Sequence, residues 1–251
     1  MITFDPHELN YSKVKAFRDC PLLFKLQYME QKRPLLNAPA SLGISLHRAL
    51  ERFHRKGGGD LDDIFLALDG GWLTAGYRNA AEQAEYYWKG RSMLEDYFHA
   101  EMERRTKIAA IEQDFEFRLG QWKVRGTIDR VDSLPDGTYD VIDYKTGPEE
   151  ITEKDALSSL QLGVYAIGAR VSLKMKPSSV SYWLLAYQKK VSIPVSGINE
   201  EQVLSEFAKT GEEMLVSQFP PRHENCHRCH LRTQCPKALP QEENLPAAPQ
   251  T

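Results

Sequence analysis

The feature that most limits the fold is a run of three segments at residues 108–118, 122–132 and 139–145, separated by short polar breaks. All three read as strands. Pro135-Asp136-Gly137 is a strong turn signal between the second and third. Connections this short join only antiparallel neighbours, so the three segments predict a meander. The preceding chain reads as helical. Ser12 is the expected cap of a helix through KVKAFRDC, with Pro21 marking a break or a new first turn, and PLLFKLQYM continues in helical style. Leu42, Leu46, Leu50 and Phe53 recur at spacings of four and three, predicting an amphipathic helix ended by Gly57-Gly58-Gly59. Two more helices are expected near 60–75 and 80–105. Beyond the meander come a helix near 155–170, strands near 178–188 and 190–195, a helix near 199–217 and a cysteine-rich tail. This order predicts an α/β (α+β) core, a central mixed sheet flanked by helices.

The 251 residues suit one large domain or a core with satellites. No apolar run approaches the roughly 20 residues of a membrane helix, and MITFDPHELN lacks a basic segment followed by an apolar one. The expectation is a cytoplasmic protein with no membrane partner. A net charge of −3 argues against nucleic-acid binding by bulk positive charge, while leaving room for a local basic groove. Lys13, Lys15, Arg18, Lys25, Lys32 and Arg33 outnumber Asp19 and Glu30 in one such stretch; alone, it reads as a solvated helix face. The last dozen residues, PQEENLPAAPQT, read as a disordered tail.

The third strand carries the chemistry, in VIDYKTG at 141–147. Residues two apart in a strand face the same way, so Asp143 and Lys145 share one side and Ile142 and Tyr144 the other. Asp129, in GTIDRVD, falls beside Asp143 across the hairpin. Two adjacent carboxylates repel and call for a compensating cation. A divalent ion with oxygen ligands fits, and Lys145 adds a fixed charge for a phosphate or an attacking water. A surface ion pair between Asp143 and Lys145 is the ordinary alternative for Asp-x-Lys alone. Glu112, early in the first strand, and Gln161 and Tyr165, at i and i+4 on the next helix, shift the balance toward a site.

In the series Glu112, GTIDRVD, VIDYKTG and QLGVY, from about residue 10 to 237, the chain resembles the RecB-like branch of the PD-(D/E)XK nuclease superfamily. That branch also has an upstream helical histidine, matched by His47 in SLGISLHRAL; alone, His47 would read as a core-edge residue. The resemblance implies a restriction-endonuclease-like core at 106–218, after an N-terminal helical region at 1–105 and before a cluster-binding segment at 219–240 and a tail at 241–251. It implies Mg²⁺ or Mn²⁺ held by His47, Asp129, Asp143 and the Tyr144 backbone carbonyl. Lys145 would be the catalytic lysine, Glu112 a supporting acid, and Gln161 and Tyr165 would orient the lysine and touch the DNA backbone. Ile142 stands where the wider superfamily has proline, as is usual in this branch. Arg18, Lys25 and Arg130 are candidate phosphate contacts, and His54 is read as a surface residue. The implied activity is that of an exonuclease on single-stranded DNA, with roles in DNA repair or recombination beside a helicase, or in CRISPR spacer acquisition beside an integrase. A nuclease-like DNA-binding module is the rival reading.

Four cysteines complete the pattern: Cys20, then Cys226, Cys229 and Cys235. Their chemistry alone admits zinc, as Cys₄ or as Cys₃His with His223, His227 or His230, and equally an iron–sulfur cluster. The resemblance, to the iron–sulfur members of the branch (AddB-type and CRISPR-associated), implies a structural 4Fe–4S cluster on all four thiols.

Overall fold

The computed structural model describes residues 5–104 and 107–239; the expected tail at 241–251 lies outside them. Six strands form one mixed sheet. Strands β2 (Lys107–Leu119), β3 (Trp122–Ser133) and β4 (Tyr139–Lys145) are the expected meander. Strand β5 (Pro177–Leu184) runs parallel to β4, and β6 (Lys189–Pro194) runs antiparallel to β5. A two-residue strand, β1 (Glu8–Leu9), lies parallel to the start of β3, so the N-terminal region contributes to the core sheet. Gly137, at φ +81°, closes the turn between β3 and β4 with its amide on the Leu134 carbonyl, a conformation that favours glycine.

The helices are α1 (Tyr11–Asp19), α2 (Pro21–Phe24, continuing into a π-turn at Lys25–Met29), α3 (Ala38–Arg55), α4 (Leu61–Gly71), α5 (Ala80–Arg104), α6 (Glu153–Leu157), α7 (Leu160–Val171) and α8 (Glu200–Val216). Two boundaries differ from the sequence reading. Asn10, not Ser12, caps α1, because its carboxamide oxygen accepts from the Lys13 amide at 2.8 Å. The single helix expected at 155–170 is two. Ser158 turns its hydroxyl back onto the Lys154 and Asp155 carbonyls, and Ser159 caps a fresh helix.

The sheet separates two apolar cores, and period-two alternation along β4 feeds both. Val141 joins residues of α1, α7 and α8, including Phe17, Leu162 and Phe207. Ile142 and Tyr144 join Leu46 and Leu50 of α3, Leu68 of α4 and Tyr97 of α5. The end of β4 therefore lies between α3 on one side and α7 on the other. Phe115 of β2 fills the first core so tightly that a Cβ at Gly168 of α7 would meet its ring at 2.4 Å. Gly168→Ala is expected to destabilise the fold by about 1–3 kcal/mol, the usual range for overpacking, measured by denaturant unfolding.

The chain's two ends meet on one side. Asn225 donates to the Asp19 carbonyl at 2.6 Å, Gln234 to the Arg33 carbonyl at 2.8 Å, and the Arg222 amide to Cys20 Sγ at 3.3 Å.

Candidate active site

The meander places three acids in a row. Arg130 pairs with Ile142, so one step further Asp129 stands opposite Asp143. Ile111 pairs with Arg130 and Gln113 with Ile128, which brackets Glu112 opposite Asp129. Glu112 holds φ +46°, a left-handed conformation unusual for a non-glycine residue. Such strain costs on the order of 1–3 kcal/mol and persists where the surroundings enforce it. Opposite these strands, α3 presents His47, whose Nδ1 lies 3.6 Å from Asp129 Oδ2. Donor atoms of His47, Glu112 and Asp129 all fall within 4.8 Å of one another. They line an open cleft of about 540 Å³ with Gly43, Glu51 and Thr146.

Asp143 faces α7. Its Oδ1 accepts from Gln161 Nε2 at 2.6 Å. Its Oδ2 sits 2.6 Å from Lys145 Nζ as an ion pair, outside hydrogen-bond geometry. Lys145 Nζ donates to Gln161 Oε1 at 2.9 Å and lies 4.9 Å from the centre of the Tyr182 ring. Gln161 thus fixes both ends of the Asp-x-Lys pair, and its Nε2 also reaches Tyr165 Oη at 3.2 Å. Asp129 is anchored separately, because its Oδ2 accepts the Tyr144 amide at 2.8 Å.

The electrostatics match a cation site. Burial first, then Asp143, raise the Asp129 carboxyl to about 6 despite His47 and the Tyr144 amide. Burial, then Asp129 and Glu51, raise Glu112 to about 7. Both groups carry an ionisation cost that a divalent ion would relieve, so the donor set of nitrogen and carboxylate oxygens fits one. The sign follows. Acids raised in the fold favour the native state while protonated, below their unfolded values near 4, and lose that contribution as pH rises through 6 to 7. A bound divalent ion restores it and needs them ionised. Added Mn²⁺ is therefore expected to raise the melting temperature more at pH 7.5 than at pH 5.5, read by thermal melts with and without the ion.

The remaining expected residues are placed differently. Arg130 is not a phosphate contact: it is 1% exposed, with its guanidinium held by Asp132 at 2.5 Å, Glu101 at 2.6 Å and Tyr97 Oη at 2.6 Å. His54 is half-buried rather than a free surface residue: its Nε2 is 2.7 Å from Tyr97 Oη, and burial, then the Arg130 charge, depress it to about 3. Tyr165 is buried, its hydroxyl on Gln161 and its ring on Phe115, so it supports Gln161 and leaves little surface for a DNA backbone. Arg18 is exposed and paired with Glu206 at 2.9 Å, and Lys25 lies 4.0 Å from Glu30. Tyr182, on β5 in register with Asp143, was missed because a parallel register across a crossover leaves no local sequence signal. Glu51 was also missed, although its i+4 spacing from His47 was visible.

The four cysteines lie together. With Lys15, His230 and Arg232 among others, Cys20, Cys226, Cys229 and Cys235 line one cavity of about 540 Å³. All four are free and half-buried, and burial raises the Cys229 thiol.

An acidic row across three strands, a lysine two residues after the acid on β4 and a helical histidine above them define a metal-dependent nuclease class of site. Its family is shown by sequence as well. The chain belongs to the PD-(D/E)XK nuclease superfamily, whose family model matches residues 8–236. Among solved structures, a candidate exonuclease from Eubacterium rectale is 11% identical, with a TM-score of 0.60 over 95% of this chain and 91% of that one. A protein designated SSO0001 is 15% identical with a TM-score of 0.38, over 88% of this chain and 96% of that one. No curated protein matches the chain. Among the described residues no helix is long and apolar enough to cross a membrane.

Proposed function

We propose that this nuclease is a Mg²⁺- or Mn²⁺-dependent exonuclease acting on single-stranded DNA, with a structural 4Fe–4S cluster. The observation that carries the nuclease reading is convergence. His47, Glu112 and Asp129 form one donor group, and Asp143, Lys145 and Gln161 form a bonded set beside it. His47, Asp129 and Glu112, with Asp143 adjoining, would hold the cation, which would supply Lewis acidity to a scissile phosphate. Glu112 is thereby a ligand rather than only a supporting acid. Lys145 offers a positioned ammonium to the phosphate or the attacking water, and Gln161 Oε1 shares that ammonium with Asp143. His47 and the Tyr144 amide hold Asp129 at a set orientation.

For the cysteines, geometry supports a cluster over one zinc ion. Zinc with bonds of about 2.3 Å needs sulfurs roughly 3.8 Å apart. Among the described residues, the donors grouped within 4.8 Å are His47, Glu112 and Asp129, so no three of the thiols that line the cavity stand that close to one another. The Arg222 amide directed at Cys20 Sγ is a contact of the kind that tunes cluster thiolates.

The test is cleavage of 5′- and 3′-labelled single- and double-stranded DNA with Mg²⁺, Mn²⁺ or EDTA. Metal-dependent shortening of single strands from an end is expected. Cleavage that persists in EDTA would sink the mechanism, preference for duplex would sink the substrate, and no cleavage at all would favour a DNA-binding module.

A further inference from the structure

One hydroxyl ties together three of the elements that carry the site. Tyr97 Oη on α5 lies 2.6 Å from Arg130 Nη1 on β3, 2.7 Å from His54 Nε2 on α3 and 2.8 Å from Tyr144 Oη on β4. Each partner sits close in sequence to a site residue. Arg130 follows Asp129 directly. Tyr144 lies between Asp143 and Lys145 and donates its amide to Asp129. His54 is two helical turns beyond His47. Arg130 is further locked by Asp132 and Glu101. Its inner members are closed to solvent, Tyr97 being 0%, Arg130 1% and Tyr144 5% exposed, while His54 and Glu101 are half-buried at its edge.

Stability alone does not account for it. Burying a guanidinium among two carboxylates and two phenols carries a desolvation cost, and well-packed apolar replacements of such groups are often neutral or stabilising. What an apolar replacement lacks is direction. Hydrogen bonds at fixed angles hold β3, β4 and α3 in one relative setting, and the cation donors come from those three elements and β2.

We infer that Tyr97, with Arg130 and Tyr144, is a positioning group for the cation site, setting the spacing of His47, Asp129 and Asp143 from beneath the sheet. The inference rests on the cation-site reading above and deepens it. Outer-shell partners of metal ligands typically change affinity about 10- to 100-fold when removed.

The test uses the whole chain and Mn²⁺ alone, titrated calorimetrically without DNA. Tyr97→Phe deletes one oxygen and keeps the ring. It is expected to weaken Mn²⁺ binding by about tenfold or more, to raise the Mn²⁺ needed for half-maximal cleavage in parallel, and to leave the affinity for single-stranded DNA in EDTA unchanged. Tyr144→Phe, which leaves the Tyr97 bridge between Arg130 and His54, is expected to show a smaller shift of the same sign, and it decides the matter if Tyr97→Phe does not fold. Trp183→Phe is the packing control. Trp183 packs edge-on against Tyr97 at 5.6 Å, with no hydrogen-bond partner for its indole nitrogen, so its loss should lower the melting temperature and spare Mn²⁺ affinity. Wild-type Mn²⁺ affinity in folded Tyr97→Phe, or an equal loss in Trp183→Phe, would overturn the inference while leaving the nuclease reading intact. Failure of the wild type to bind Mn²⁺ would overturn both.

Discussion

Lys145→Ala is expected to lower cleavage by about 10²–10⁴-fold, the range a positioned proton-transfer or charge-stabilising group supplies, with the fold retained. The retention follows from the contacts. Lys145 is a partly exposed residue at the end of β4, and Asp143 keeps its hydrogen bond from Gln161 after the ammonium is gone. The loss should fall on kcat, with Mn²⁺ affinity kept or improved, because deleting the ammonium frees Asp143 Oδ2. A Lys145→Ala protein that still cuts within tenfold of wild type would remove the lysine from the mechanism. Gln161→Ala should give a smaller loss than Lys145→Ala, since Lys145 would keep its ion pair with Asp143 but lose the second acceptor that fixes its direction.

Cys229→Ser should have the largest effect on the folded state: brown colour and soluble protein are expected to disappear together. Where a metal centre joins distant segments, its binding free energy is part of the folding free energy. Here Cys20, at the junction of α1 and α2, meets Cys226, Cys229 and Cys235 from the other end of the chain. The hydrogen bonds between these ends are largely exposed. Absorption near 400 nm and iron and sulfide analysis of the wild type check the premise. A colourless wild type holding one zinc per chain would replace the cluster by zinc.

Much of the site was legible because it depends on local rules. Strand alternation put Asp143 and Lys145 on one side, and the short turn at 135–137 dictated a hairpin that brings Asp129 opposite Asp143. The i, i+4 pair Gln161 and Tyr165 shares a helix face and does bond. Other features follow from tertiary context and were misread. Arg130 looks like a solvent-seeking cation in sequence, but Asp132, Glu101 and Tyr97 close around it. His54 looks peripheral beside three glycines, yet Tyr97, 43 residues later, draws it inward. The strained backbone at Glu112 has no glycine or turn motif to announce it.

The sequence by itself determined the order of elements, the meander and the identity of the acid–lysine pair, because strand period, turn chemistry and helix spacing act over a few residues. Only the tertiary structure decided which donors stand close enough to form a candidate cation site, that Gln161 spans Asp143 and Lys145, and that a single tyrosine hydroxyl links α3, β3 and β4. Those outcomes depend on packing between residues from 16 apart, for Gln161 and Lys145, to 82 apart, for His47 and Asp129, where side-chain direction and burial, rather than residue type, select the partner.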